Sequence, residues 1–274
     1  MKVSFTIVLL LAGLMVQGKI FSVGIGKDFA RISQAVNNAT AGDTVFIYAG
    51  VYKEGQLVIN KRLYIKGISF PVLDGEKKFE ILTIKASNTV VEGLVFRNSG
   101  RSSYMDIAAL RIAESRYVTV RNNQFENTFF GIYSQHTTAC TIVGNKLRSD
   151  AKDEINSANG IHCWKSDSLK IEGNVITGHR DGIYFEFVTN SFIRNNYSFK
   201  NVRYGIHFMF SNDDTYINNT FQDNGAGVAV MYSSRIHMHY NVFADNWGSA
   251  AYGILLKDIS DGTVSSNRFL NNSV

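Results

Sequence analysis

Short runs of alternating apolar and polar residues recur along this chain at a nearly fixed interval. Each run in the central region begins with Gly and a β-branched residue and has Asn 14 positions after that Gly. The spacing is 22 residues from Gly160 to Gly182 and again from Gly205 to Gly227. A fixed period of this length, with strand rather than helical alternation, predicts a solenoid whose coils are short strands and turns.

When the coils are aligned, their apolar residues fall into columns. One and three positions after each Gly are apolar residues such as Ile183 and Phe185, and another apolar residue usually stands two positions after the Asn. Such columns point inward in a parallel stack. We expect the Asn column to occupy a turn in left-handed conformation, with amides hydrogen-bonded between coils. The pattern predicts an all-β protein, a single-stranded, right-handed parallel β-helix.

One segment near the N-terminus has helical spacing instead. Phe29, Ile32, Ala35 and Val36 share one face of a helix, and Asp28 precedes them at an N-cap position. A short helix here would cover the apolar bore at the N-terminal end of the solenoid.

The first residues predict export. A basic tip, an apolar run too short for a membrane span, and small residues near Gly18 are typical of a secretory signal peptide. We expect residues 1–18 to be this peptide, cleaved after Gly18. No linker divides residues 19–274, which are expected to form one β-helix domain. The chain stops in mid-coil at Val274, which predicts that further coils lie beyond it.

Charge and cysteine content narrow the function classes. The net charge is +5, but the basic residues are scattered, so binding to nucleic acid is not expected. Cys140 and Cys163 fall in different inward columns, so we expect no disulfide between them. There is also no CxxC or zinc-type spacing.

Two coils carry insertions. Most coils need six or seven residues from the apolar position after the Asn to the next Gly, whereas Leu147 to Gly160 takes 13 and Phe243 to Gly253 takes 10. Both insertions lead into the strand that begins with the Gly. We expect them to bracket the four central coils as the two walls of a groove.

The outward positions of these same strands are unusual for an exposed surface. They carry aromatic, imidazole and thioether groups, which are unfavourable in water unless a ligand or partner covers them. The column two positions after the Gly contains Tyr133, His162, Tyr184 and His207, and the column four positions after it contains Gln135, Trp164, Glu186, Met209, Met231 and Lys257.

These columns predict a copper site. Adjacent coils are about 4.8 Å apart, so Met209 and Met231 are stacked neighbours and His207 lies beside Met209. Thioethers select Cu(I) over harder ions, so we assign His207, Met209 and Met231 as candidate ligands of Cu(I) rather than Cu(II). The alternative is that the methionines pack under a partner protein or a loop. The partner or ligand face is assigned to His162, Trp164, Tyr184 and Glu186.

A polysaccharide-binding or polysaccharide-cleaving β-helix enzyme is the competing hypothesis. Glycoside hydrolysis needs two carboxyl groups about 5 to 9.5 Å apart. Glu186 is the lone acid in the outward columns, and Asp181 lies about 16 Å away by strand rise. Hydrolysis is therefore not expected and no catalytic residue is assigned. A lyase that uses Lys165, Lys257 or an arginine as its base stays open.

Five segments carry a likeness to a known family: NGIHCWKSDSLKIEGN, GHRDGIYFEFVTNSFIRNN, RYGIHFMFSNDDTY, GAGVAVMYS and DNWGSAAYGILLKDISD. They resemble the NosD family, exported β-helix proteins of nitrous-oxide reductase maturation. The resemblance implies a periplasmic, non-enzymatic protein, classed by fold with carbohydrate-binding β-helices, that helps to build the copper–sulfur centre of nitrous-oxide reductase. It also implies three partners: nitrous-oxide reductase, the ABC transporter NosF/NosY, through which alone it would meet the membrane, and the copper lipoprotein NosL.

Overall fold

The structure, a computed structural model, describes residues 18–248 and 252–273. These residues contain thirty strands and one helix, α1 (Ile32–Asn38), joined by turns. The strands are, in chain order, β1 (Ile20–Val23), β2 (Thr44–Tyr48), β3 (Val51–Tyr52), β4 (Leu57–Ile59), β5 (Tyr64–Ile68), β6 (Val72–Asp74), β7 (Leu82–Ile84), β8 (Val90–Glu92), β9 (Val95–Arg97), β10 (Ala108–Ala113), β11 (Thr119–Arg121), β12 (Gln124–Glu126), β13 (Phe130–Gln135), β14 (Thr141–Val143), β15 (Lys146–Arg148), β16 (Ile161–Trp164), β17 (Lys170–Glu172), β18 (Val175–Thr177), β19 (Ile183–Glu186), β20 (Phe192–Arg194), β21 (Tyr197–Phe199), β22 (Tyr204–Met209), β23 (Thr215–Ile217), β24 (Thr220–Gln222), β25 (Ala226–Ser234), β26 (His237–His239), β27 (Val242–Ala244), β28 (Ile254–Ser260), β29 (Thr263–Ser265) and β30 (Arg268–Leu270).

The strands form three long parallel sheets, and successive coils add one strand to each. Sheet 1 contains every third strand from β4 to β28, and sheet 2 contains β1, β2 and every third strand from β5 to β29. Sheet 3 contains every third strand from β3 to β30. The predicted parallel β-helix is confirmed. The predicted signal peptide, apart from Gly18, lies outside the described residues.

The predicted inward columns form the core. Ile161 pairs with Ile183, and Ile183 pairs with Ile206 in the next coil, so one apolar column runs through sheet 1. These three side chains and those of Cys163 and Phe185 are fully buried. Both cysteines are free, as predicted.

The Asn column is a continuous ladder of buried amides. The backbone N–H of Asn196 donates to Oδ1 of Asn219 at 3.0 Å, and Nδ2 of Asn196 donates to the same oxygen at 2.9 Å. The predicted left-handed conformation was wrong for this column, because it belongs to the preceding residue, such as Asn195 with φ 56°. At this corner the side chain of Asn195 is exposed to solvent, and the side chain of the next residue, Asn196, points inward and is buried.

A second ladder was missed. Each of its residues follows an Asn of the first ladder by five positions, and the ladder contains Asn201, Asn224, Asn246 and Asn272. The N–H of Asn201, for example, donates to Oδ1 of Asn224 at 3.0 Å. His179 begins it, because its N–H donates to Asn201 Oδ1. The constant offset of five residues was a signal present in the sequence.

The helix α1 covers the core at the N-terminal end, and Ile32, Ala35 and Val36 are buried there as predicted. The predicted N-cap was wrong. Asp28 accepts hydrogen bonds from Ser22 instead, and the side chain of Glu54 accepts from the first helical N–H groups at 2.6 and 2.9 Å. A carboxylate from the next coil satisfies these N–H groups, so no residue of the helix itself needs to cap it.

Candidate functional site

The two insertions lie on the same side of the β-helix. A cavity of about 240 Å³ is lined by Glu154 from the first insertion and by Gly248 from the second, with Arg203 and Tyr204 between them. This cavity borders the edge of sheet 1 where β22 begins. This cavity lies between the two insertions, whereas a groove along the four central coils stays a prediction.

Met209 and Met231 are register partners on that outer face. They pair across β22 and β25, and the residues before them, Phe208 and Val230, are fully buried on the inner side. Both thioethers are partly buried. The hydroxyl of Tyr184 lies 3.6 Å from Sδ of Met209, so the site has a weak donor beside one sulfur.

His207 projects from the same face, two residues before Met209, but it is deeply covered. Its ring packs between those of Tyr184 and Tyr204, with both centroid separations 4.9 Å. Nδ1 lies 3.7 Å from a carboxylate oxygen of Asp181. Among the described residues neither ring nitrogen has a hydrogen-bond partner, so the imidazole retains an unused donor atom.

Asp181 and Arg203 form an ion pair beside His207. Asp181 is fully buried, and Arg203 donates to its two carboxylate oxygens at 2.9 and 2.6 Å. Burial alone would raise the pKa of Asp181, but the Arg203 hydrogen bonds outweigh burial and hold the pKa at about 2. The Asp181–Arg203 pair carries no net charge, so the preference for a soft monovalent cation comes from the two thioethers and the imidazole.

The first outward column is a continuous stack of rings. Centroid separations are 4.4 Å from Tyr133 to His162, 4.8 Å from His162 to Tyr184 and 4.9 Å from Tyr184 to His207. Burial, with a smaller effect from the charge of Arg180, lowers the pKa of His162 to about 3. His162 is therefore neutral at pH 7.

The second outward column continues the same surface. Trp164 pairs with Glu186, and Glu186 pairs with Met209, across three neighbouring coils. All three side chains are partly buried. The four residues assigned to a partner or ligand face thus adjoin the three candidate copper ligands in one surface.

A ladder of exposed aromatic rings at the neighbouring corner was missed. Phe187, Phe210 and Tyr232 stack with centroid separations of 5.1 and 5.2 Å, and each is about 40% exposed. All three have a left-handed backbone, with φ between 50° and 54°, which is uncommon for bulky residues. Their signal in the sequence was an aromatic residue five positions after Gly in three successive coils.

Hard-ligand metal sites are not evident. Within residues 18–248 and 252–273, no group of three or more His, Cys, Asp or Glu side chains is placed to hold a metal ion. His237 and His239 lie parallel on β26 with ring centroids 6.2 Å apart, and Nδ1 of His239 is 2.7 Å from the Ser265 hydroxyl.

Over the described ranges, no helix has the length and apolar character needed to cross a membrane.

Comparison with known proteins points to one family. A family profile described as "Periplasmic copper-binding protein (NosD)" matches residues 147–274. A Pseudomonas aeruginosa protein named "Probable ABC transporter binding protein NosD" is 28% identical over 136 residues, which is 49% of this chain and 32% of that protein. The chain therefore aligns with about a third of the length of that relative.

Two further similarities concern the repeat and the fold. A cell surface glycoprotein of Methanothermus fervidus is 25% identical over 280 residues, covering 97% of this chain and 46% of that protein. The A-module of the mannuronan C-5 epimerase AlgE6 from Azotobacter vinelandii superposes with a TM-score of 0.58 at 16% identity, covering 82% of this chain and 73% of the module. At this identity the structural likeness concerns the fold alone.

Proposed function

Since the chain belongs to the NosD family, we propose that it is an exported, periplasmic accessory protein that binds Cu(I) through Met209, Met231 and His207. The family description as copper-binding supports copper in general. The observation that carries the site is the register pairing of the two methionines on the outer face of sheet 1, beside an imidazole whose nitrogens have no partner within the described residues.

The donor chemistry favours a transferable ion. Two thioethers and one imidazole bind Cu(I) without adding negative charge, and soft sulfur ligands disfavour Ca²⁺, Mg²⁺ and Mn²⁺. Copper would be cargo at this site rather than a catalyst. We propose that it is passed on during assembly of the copper–sulfur centre of nitrous-oxide reductase.

The proposed partners would dock beside the copper site. The exposed ladder of Phe187, Phe210 and Tyr232 directly follows Met209 and Met231 in its last two coils, and exposed aromatic clusters are typical of protein interfaces. The relatives are named as ABC transporter binding proteins, which supports the transporter NosF/NosY as one partner. NosL and nitrous-oxide reductase are proposed as donor and acceptor of copper.

Removing either thioether is expected to weaken Cu(I) binding by about tenfold or more, since each loses one of three donors. Met209→Leu and Met231→Leu keep the volume, and binding is measured by competition with a chromophoric Cu(I) chelator under reducing conditions. Met238→Leu is the control, because Met238 is fully buried inside the bore. Equal affinities for all four proteins would remove this site.

Cleavage of polysaccharide is less well supported than copper binding. Asp181 is held ionised by Arg203 with its pKa at about 2, so it has no proton to donate near neutral pH. Asp181 is also fully buried with both carboxylate oxygens bound by Arg203, so it is not free to act as the second carboxylate beside Glu186. Release of shortened or unsaturated products from polymers of uronic acid would reverse this ranking.

A further inference from the structure

Arg180 lies on this surface without a counter-ion among the residues that the structure describes. Arg180 and Arg203 occupy equivalent positions, each two residues before the Gly that begins its coil. Arg203 is neutralised by Asp181, the residue before Gly182. The equivalent residue before Gly160 is Asn159, which is fully buried but carries no charge.

The side chain of Arg180 makes no ion pair or hydrogen bond with the described residues, although it is partly buried and its Nε is shielded from water. A guanidinium that loses hydration without a compensating partner is unfavourable. Such a group is expected to gain free energy when an anion binds it. This unpaired cation is the first requirement of an anion site.

The surroundings of Arg180 supply hydrogen-bonding atoms without a negative charge in contact. Its backbone N–H donates to the carbonyl of Ala158 at 2.9 Å, and Ala158 packs in one cluster with Tyr133 and Trp164 of the outer face of sheet 1. Nδ1 of His162 lies 3.1 Å from the Asn159 amide nitrogen and accepts from it. The proton of the neutral ring is then on Nε2, and that buried N–H has no partner within the described residues.

Partly exposed rings flank this cation. Trp164 and Tyr184 lie in neighbouring coils of sheet 1, and Glu186 pairs with Trp164 across them. Rings of this kind can pack against the apolar C–H face of a sugar, and a carboxylate can accept from its hydroxyls. Arginine binds carboxylates through two parallel N–H groups, with directional specificity.

We propose that the outer face of sheet 1 binds a carboxylate-bearing saccharide, with Arg180 holding the carboxylate and Trp164 and Tyr184 contacting the ring. The occupant is an acidic sugar chain that lies along the stacked coils. This site adjoins the proposed copper ligands, but it shares none of them and does not depend on copper binding.

Binding is measured by isothermal titration calorimetry at low salt, with galacturonate trimer, a neutral xylose trimer and acetate as probes. The trimer of uronate is expected to bind at least about tenfold more tightly than the other two, since only it offers both carboxylate and ring contacts. Arg180→Gln should lose about tenfold in affinity for the uronate trimer. Arg148→Gln, on an exposed position of sheet 3, removes the same charge elsewhere and should bind as the parent does.

A second variant tests the cause. Asn159→Asp places a carboxylate where Asp181 stands in the next coil, so Arg180 should pair internally and uronate binding should fall as it does in Arg180→Gln. Circular dichroism checks that each variant is folded. Undiminished binding in Arg180→Gln, no binding of the uronate trimer to the parent protein, or equal binding of the neutral trimer or of acetate would each overturn the proposal.

Discussion

Asn196→Gly is expected to lower the free energy of unfolding by about 3 to 6 kcal/mol, since each buried polar group left unpaired costs roughly 1 to 3 kcal/mol. The amide of Asn196 accepts from the N–H and the Nδ2 of Asn174 and donates to the carbonyl of Ile171 and to Asn219, all at about 3 Å. The substitution removes these four bonds and a fifth, from Nδ2 to the carbonyl of Arg194 at 3.0 Å, and it also leaves a cavity. Unfolding by urea, followed by circular dichroism, measures the change.

The neighbouring residue is a matched control. Asn195 is exposed and has a left-handed backbone with φ 56°, a conformation that glycine adopts without strain. Asn195→Gly should therefore change stability by less than about 1 kcal/mol. Equal effects of the two substitutions would contradict the assignment of the ladder to the second residue of the corner.

Stability is expected to fall with rising pH because of one acid inside the bore. Asp214 is fully buried, its Oδ1 accepts from the Ser191 N–H at 2.8 Å, and its Oδ2 has no partner within the described residues. Burial raises its pKa from 3.8 to about 8. The folded protein thus keeps a proton that the unfolded chain releases between about pH 4 and pH 8, so the free energy of unfolding decreases across this window.

Asp214→Asn should remove this slope. The amide keeps the shape and the acceptor for Ser191, so at pH 8 the variant should be more stable than the parent by up to a few kcal/mol. Thermal or urea unfolding between pH 5 and pH 9 tests this.

Asp213→Asn is the matched control for charge. Asp213 is half-exposed and bound to Arg235, whose hydrogen bonds lower its pKa. Its contribution to stability is therefore lost at acid pH and not between pH 5 and pH 9, so this variant should keep the slope. A parent protein without the slope would contradict a neutral Asp214.

Much of the fold was predictable because a solenoid repeats one local rule. The Gly-to-Asn spacing predicted the coil, and the alternation within β19 and β22 correctly placed Phe185 and Phe208 inside. The same positions point inward in every coil, so a wrong assignment of inward residues in one coil would disagree with the pattern of the neighbouring coils.

Features that depend on side chains from other coils were not predictable in this way. The sequence places Asp28 at an N-cap position, but the first N–H groups of the helix donate to the carboxylate of Glu54 instead. The pairing of Arg203 with Asp181 joins residues 22 apart, and the residues next to Arg203 in the sequence do not predict it. Arg180, at the equivalent position, has no such partner within residues 18–248 and 252–273. The left-handed aromatic corner also contradicts local propensity, which favours Asn, Asp or Gly at such positions.

The proposed copper ligands were predictable only in part. The alternation predicted that Met209, Met231 and His207 share one face, but it could not predict how deeply His207 is covered or that its Nδ1 lies near Asp181. Side-chain torsions beyond the strand direction depend on packing by Tyr184 and Tyr204. The assignment of copper to these three residues stays a proposal.

X-ray absorption of the Cu(I)-loaded protein, prepared with selenomethionine, tests the copper site most directly. We predict copper–selenium scattering from two neighbours together with one imidazole, and a loss of selenium neighbours in Met209→Leu and Met231→Leu but not in Met238→Leu. A copper shell made only of nitrogen and oxygen, or one that the Met209 and Met231 substitutions leave unchanged, would contradict it.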